Sequence, residues 1–112
     1  MSAARHMDHL EFTGPLWRWT GTANGTWHFV TLDGAVADEL TAIGMMRRLE
    51  GMGRGWGSLR VSVTIGETRW QTSVFPQKGE GGAAHWLLPV KLAVRKAEGL
   101  AEGDEVELAL DL

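Results

Sequence analysis

The sequence predicts a mainly β fold, a small closed barrel that carries two short helices. Six short stretches are apolar or alternate apolar with polar residues, as strands with a buried face do. Two other stretches repeat apolar residues at helical spacing. The chain has 112 residues, of which 44% are hydrophobic, which is the size of one domain. Closure of six short strands removes unpaired strand edges, so we expect a barrel.

The first two strands form a predicted hairpin. One strand covers residues 10–20, and Pro15 within it indicates an edge or a bulge. Asn24 and Gly25 are a strong signal for a tight turn. The second strand covers residues 26–32.

A helix follows, with Asp33 as its N-cap. Gly44 disfavours the helix interior by roughly 1 kcal/mol relative to alanine, so we expect the helix to bend or end early there. The stretch 51–57, GMGRGWG, has a glycine at every second residue and predicts a flexible loop. Apolar side chains on the helix recur at Val36, Leu40 and Ile43.

Three more strands come next. Residues 58–65 alternate strictly, and 68–75 pair back after a Gly-Glu turn. We expect Pro76 to end that strand, and a glycine-rich loop at 77–84 to follow. Residues 85–88 are bulky and predict a strand buried on both faces.

The chain closes with a short helix and a strand. Pro89 suits the first turn of this helix, and Gly99 can take the left-handed conformation that ends it. Gly103 begins a turn, and the strand from Glu105 to Leu112 alternates cleanly. The order strand, strand, helix, strand thus occurs twice, with the division near Gly66, so we read two similar halves, β-β-α-β and β-β-α-β.

Composition narrows the classes of function. The absence of cysteine excludes disulfides, thiolate zinc sites and cysteine nucleophiles. A net charge of −3 argues against nonspecific nucleic-acid binding. There is no apolar run of the roughly 18 residues that span a membrane. We expect a cytoplasmic protein with a flexible tail at 1–9 and one domain at 10–112.

The chain resembles a known family in several stretches. These are FVTL, RVSVTIGETRWQTSVFP, HWLLPVKLAVRKAEGL and GDEVELAL. They are similar to the bacterial domain-of-unknown-function family DUF1905, which is also found fused to YdeI/OmpD-associated modules. The resemblance implies a double-split β-barrel, similar to the swapped hairpins of AbrB-type domains. It implies a monomer that is pseudo-dimeric within one chain, and it transfers no catalytic residue.

Two groups of residues are candidates for ligand contact. Trp56 lies beside Arg54 in the first glycine loop, where it can act as a lid or contact element. Lys91 and Arg95 share one face of the second helix and Lys96 lies beside them. This group, joined by Arg69, is the best candidate for an anion contact. The simpler alternatives are a flexible linker and a solvated helix face. The candidate ligand-binding residues are Arg54, Trp56, Arg69, His85, Lys91 and Arg95.

Three functions remain open. We favour a noncatalytic module that binds a small molecule or peptide. A nucleic-acid-binding or regulatory role follows by analogy with AbrB-type folds. An enzyme would need an acid or base in a pocket, for which His28, His85 and Glu67 are the candidates. We assign no catalytic residue, cofactor or metal site, and we expect most of the six tryptophans to pack in the core.

Overall fold

The computed structural model describes residues 9–22, 25–49, 57–78 and 83–112. These residues form six strands and two helices in the predicted order. The elements are β1 (His9–Thr22), β2 (Gly25–Leu32), α1 (Gly34–Leu49), β3 (Leu59–Ile65), β4 (Thr68–Lys78), β5 (Ala84–Pro89), α2 (Leu92–Glu98) and β6 (Glu105–Asp111). No helix among the described residues is long and apolar enough to cross a membrane.

The strands form a closed antiparallel barrel, which confirms the predicted mainly β class. Their order around the barrel is β1-β2-β5-β4-β3-β6. The long strand β1 has two partners: residues 9–15 pair with β6, and residues 16–22 pair with β2. The shortest pairing is between β3 and β6, from Ser62↔Asp111 to Thr64↔Ala109. This short seam completes the ring.

One hydrophobic core fills the barrel. Because side chains alternate across a strand, every second residue points inward. The helices add Leu40 from α1 and Val94 from α2. Among the described residues, no polar or charged residue is classed as buried. The largest fully buried strand side chains are Leu16, Val30, Leu32, Val63, Val74, Leu88, Val106 and Leu110.

Each of the three prolines lies where a strand pairing ends. Pro15 is neither at an edge nor at a bulge, since β1 exchanges β6 for β2 directly after it. Pro76 does not end β4, which continues to Lys78 and pairs with β5. The β3 pairing of β4 stops at Val74, so the missing N–H of Pro76 has no strand beside it to serve.

The helices differ from expectation at two positions. The first helix runs through Gly44 to Leu49, so an early end there was wrong. A β-carbon at Gly44 would meet only the ring of Trp86, at an ordinary contact distance of 3.8 Å, so the packing of α1 on β5 leaves room for one. Pro89 is the last residue of β5, and the second helix begins only at Leu92. The prediction for Gly99 is confirmed, because its φ of 65° is left-handed and it caps α2.

The burial of β5 and of the tryptophans also differs from the prediction. Trp86 and Leu88 are buried, whereas His85 and Leu87 are half-buried, so β5 is not buried on both faces. Trp86 is the one buried tryptophan among those described. The expectation that most tryptophans fill the core was therefore wrong. Small and medium-sized Val and Leu side chains fill this narrow barrel, and most indole rings remain at its surface.

Candidate functional site

A groove lies between β2 and β4, at the point where β5 ends. Its volume is about 480 Å³. The walls carry Trp27 and His28 from β2 and Trp70 from β4, and the start of α2 adds Lys91 and Arg95. We call it the β2–β4 groove. Within the described part of the chain, no Asp or Glu side chain lines it.

Local sequence explains why the two cations reach this groove. After Pro89 the chain leaves the sheet, and Lys91 takes an extended conformation (φ −73°, ψ 163°) as N-cap of α2. Arg95 follows one helical turn later on the same side. Its Nε donates to the Val90 carbonyl at 3.1 Å, which holds the stem of the guanidinium against the end of β5.

The other end of α2 is anchored to the opposite wall. Thr68 Oγ1 donates to Glu98 Oε2 at 2.6 Å, and the Glu67 N–H donates to the same oxygen at 3.3 Å. These bonds join the last turn of α2 to the start of β4. The helix that carries the cations is thus fixed to β4 by its last turn.

His28 is the titratable wall residue of the groove. It is half-buried, and its Nδ1 is buried without a hydrogen-bond partner among the described residues. Burial lowers the pKa of His28 from its usual 6.5, and the positive charges of Arg95 and Arg18 lower it further. The imidazole is therefore neutral at pH 7. Desolvation of the ring is the main reason that the pKa is low, and only Glu102 acts in the opposite direction among its charged neighbours.

A row of aromatic rings on β2 and β1 begins at Trp27 of the groove. Trp27 is 49% exposed, and its ring stacks on Phe29 with centroids 6.1 Å apart and planes 9° apart. Phe29 in turn contacts Trp17, with ring centroids 5.2 Å apart. The Nε1 of Trp17 donates to Thr31 Oγ1 at 2.8 Å, which fixes this row. Trp27, supported by this row, therefore offers an exposed aromatic ring in the same groove as the two cations.

A second cleft lies between α1 and the β4–β5 hairpin. Its volume is about 320 Å³, and Arg48, Gln77 and His85 are its polar lining residues together with Thr41. Thr41 Oγ1 accepts a hydrogen bond from Trp86 Nε1 at 3.1 Å, so that hydroxyl already has a partner. We call this the α1 cleft.

The sequence match spans both sites. The family described as "Domain of unknown function (DUF1905)" matches residues 12–110, which is nearly the whole chain. The chain belongs to the DUF1905 family. The resemblance predicted from the sequence is thereby confirmed. No curated protein matches the chain.

The predicted site residues of this DUF1905 domain fall in different places. Lys91 and Arg95 line the β2–β4 groove together, whereas His85 lines the α1 cleft. Arg69 lies in neither, and its Nη1 donates to Thr64 and to Asp111, each at 3.1 Å. Arg54 and Trp56 lie outside the described residues.

Sequence reasoning missed the role of three wall residues as neighbours of the cations. Trp27 and His28 are more than 60 positions from Lys91, and Trp70 belongs to a strand that does not pair with β2. The available signal was the unusual number of tryptophans on strand faces. Only the ring order of the strands brings those faces to α2.

The candidate acid–base residues do not meet in one site. His28 lines the β2–β4 groove, His85 lines the α1 cleft, and Glu67 lies exposed in the β3–β4 turn. Across residues 9–22, 25–49, 57–78 and 83–112, no group of three or more His, Cys, Asp or Glu is arranged to hold a metal ion. His9, which the sequence placed in the flexible tail, is the first residue of β1 and donates through Nδ1 to Asp111 at 2.7 Å.

Proposed function

We propose that this DUF1905 domain is a noncatalytic binding module, and that its β2–β4 groove takes an anionic ligand. One observation carries the proposal. Lys91 and Arg95 line a groove that no acidic side chain of the described chain lines, although the protein as a whole has a net charge of −3. Local positive charge on an acidic protein favours a specific anion contact over general attraction to polyanions.

The neighbouring side chains indicate what else the ligand carries. An arginine guanidinium matches a carboxylate or phosphate with two parallel hydrogen bonds. The rings of Trp27 and Trp70 beside it suit an apolar or aromatic group. The ligand class that fits both is an anion with an attached apolar part, in a small molecule or a peptide.

Tryptophan fluorescence tests the proposal directly. We would titrate acetate, phenylacetate, sulfate and citrate at constant ionic strength, and expect phenylacetate to bind more tightly than acetate. Arg95→Gln and Lys91→Gln should each weaken binding by about tenfold, which corresponds to roughly 1.4 kcal/mol. Lys96→Gln is the matched control, because Lys96 is an exposed cation of the same helix that does not line the groove. Equal affinities for all three variants would refute this site.

The groove histidine supplies a pH test. A bound anion opposes the effect of Arg95 and Arg18 on His28 and favours its protonated form. Sulfate does not titrate in this range, so its affinity should rise as the pH falls from 7.5 to 5.5. Replacement His28→Asn should flatten that profile. A profile that is equally steep in the variant would remove His28 from the site, whatever happens to the cation variants.

We further propose that the barrel is of the double-split, pseudo-two-fold kind and that one chain is the complete unit. Support comes from the ring order: exchanging β1, β2 and β3 with β4, β5 and β6 leaves every neighbour unchanged. The expected particle in solution is a 12.3 kDa monomer. Light scattering that gave twice this mass at micromolar concentration would contradict a self-contained pseudo-dimer.

A further inference from the structure

The inference rests on the proposed function and names the ligand class. We propose that the β2–β4 groove takes an extended acidic peptide, which adds as a short strand between β2 and β4. The groove is a place in the barrel where a strand position stands vacant next to two free strand edges.

The pairings of β5 define this vacancy. In the ring, β5 lies between β2 and β4. It pairs with β2 only from Phe29 onward, and with β4 only from Phe75 onward. Both neighbours extend further toward the groove, to Gly25 and to Thr68 respectively. Beyond Pro89 only the Val90 N–H still bonds to β2, and the described residues of β2 and β4 have no further registered partner on this side.

Proline is the reason that β5 stops there. Val90 N–H donates to the His28 carbonyl at 2.9 Å, so the backbone groups of even-numbered β5 residues point to β2. The odd-numbered Pro89 then points to β4, where it has no N–H to donate. The chain turns away after Val90 and starts α2.

The same alternation identifies the open backbone groups. His28 directs its carbonyl to β5, and Thr26 two residues earlier points to the same side. On β4, Phe75 is paired with Leu87 of β5. Gln71 lies four residues before Phe75, so its backbone groups point to the same side of β4. Within the described part of the chain, neither Thr26 nor Gln71 has a strand partner on the groove side. Each offers one N–H and one carbonyl to an added strand.

The size of the groove suits a short strand. A strand that pairs with both β2 and β4 needs these two to be about 10 Å apart, twice the usual spacing. The open part of β2, from Gly25 to Trp27, is about 10 Å long at 3.3 Å per residue, which matches about three residues. The groove volume of about 480 Å³ accommodates such a segment.

The charge of the groove selects the peptide. Lys91 and Arg95 lie at the end of the vacancy where β5 turns into α2, and no described acidic residue lines it. Glutamates spaced two apart would place carboxylates on one side of an added strand. Apolar residues between them would face the rings of Trp27 or Trp70. The favoured ligand thus alternates acidic and apolar residues.

A designed peptide, acetyl-Glu-Val-Glu-Phe-Glu-amide, is the probe. We would follow its binding by tryptophan fluorescence and by the exchange of backbone amides in nuclear magnetic resonance. The amides of Thr26 and Gln71 should exchange at least tenfold more slowly with peptide bound. Two methylated forms serve as controls, one with N-methyl groups on Val and Phe and one with an N-methyl group on the central Glu. Each form lacks the backbone N–H donors that point to one of the two neighbouring strands. At least one of these two peptides should bind about tenfold more weakly.

The charge control is acetyl-Lys-Val-Lys-Phe-Lys-amide, for which we expect no saturable binding. Arg95→Gln should weaken the acidic peptide, and Lys96→Gln should not. Equal binding of the methylated peptides, or unchanged exchange at Thr26 and Gln71, would overturn strand addition. Anion binding would still stand if phenylacetate and citrate bound. If neither the small anions nor the peptide bound, the proposed function itself would fail.

Discussion

At the scale of single residues, Asp111 joins elements that are far apart in sequence. Its carboxylate accepts hydrogen bonds from His9 of β1 at 2.7 Å and from Arg69 of β4 at 3.1 Å. These bonds lie on the outer surface beside the short β3–β6 seam. The bond to Asp111 and then that to Glu11 raise the pKa of His9 above 6.5, and the bond from His9 lowers the pKa of Asp111 below 3.8.

These opposite pKa shifts predict a range of pH in which the His9–Asp111 pair stabilises the fold most. Because the pKa of His9 is raised in the folded state, its contribution is complete below pH 6.5 and is lost as pH rises through the raised value. The contribution of Asp111 is complete above pH 3.8 and is lost as pH falls through its lowered value. The fall in Tm caused by Asp111→Asn should therefore be largest between about pH 4 and 6.5.

Thermal melts of both proteins across pH 2.5 to 9 measure this difference. A smaller residual difference should persist at pH 9, because Arg69 keeps its charge and its contact with Asp111. The control is His9→Gln, in which the alkaline decline of the difference should vanish. A Tm difference that is the same at every pH would show that the charges of His9 and Asp111 do not contribute to stability.

At the scale of secondary-structure elements, two helix glycines differ in whether the backbone requires them. Gly99 caps α2 with a left-handed φ of 65°, and a β-carbon added there would meet no atom within 4 Å, so strain alone opposes substitution. Gly44 lies inside α1 with helical backbone, and a β-carbon would only reach ordinary contact with Trp86 at 3.8 Å. One glycine ends a helix, and the other is a position where alanine fits.

Alanine at each position should therefore shift stability in opposite directions. Gly99→Ala should cost roughly 1–2 kcal/mol, a Tm decrease on the order of 5–10 °C. Gly44→Ala should gain up to about 1 kcal/mol. Gly99→Asn is the matched control for the cap, since asparagine tolerates the left-handed region better, and it should lose less than alanine. Differential scanning calorimetry measures all three, and a stable Gly99→Ala would exclude strain at the cap.

At the scale of the whole molecule, closure makes the two halves depend on each other. The β3–β6 seam has few registered pairs, and fully buried Val63 lies opposite fully buried Leu110 at its centre. The first half of the chain (β1 to β3) and the second half (β4 to β6) pair with each other around the ring: β5 pairs with β2, β4 with β3, and β6 with both β1 and β3. Neither half can form its share of the core alone.

Leu110→Ala tests this dependence. Removal of a buried leucine side chain should cost about 2–5 kcal/mol. Circular dichroism and tryptophan fluorescence should still report one coincident transition, because both halves share the core. Lys96→Ala, at an exposed position of α2, is the control and should change stability little. Separate transitions for the two probes would show that the halves unfold independently.

The sequence was sufficient for the number, type and order of the elements. Local features carry that information: period-two alternation in β3 and β6, helical spacing in α1, and a left-handed glycine after α2. The predictions were wrong where the effect of a residue depends on the element packed beside it. Pro76 was expected to end β4, but whether a missing N–H matters depends on which strand lies beside it. Gly44 was expected to bend α1 or end it early, but α1 continues to Leu49, because its packing against β5, with the Trp86–Thr41 hydrogen bond, outweighs the low helix propensity of one residue.

The candidate site shows the same division. The sequence alone determined that Lys91 and Arg95 share a helix face, because four residues make about one turn. Only the tertiary structure decided that His28 and Trp70 lie beside them and that His85 and Arg69 do not. The reason is that spacing along the chain specifies the face of an element, whereas the ring order of the strands specifies which faces meet. The vacant strand position between β2 and β4 exists only in that ring order.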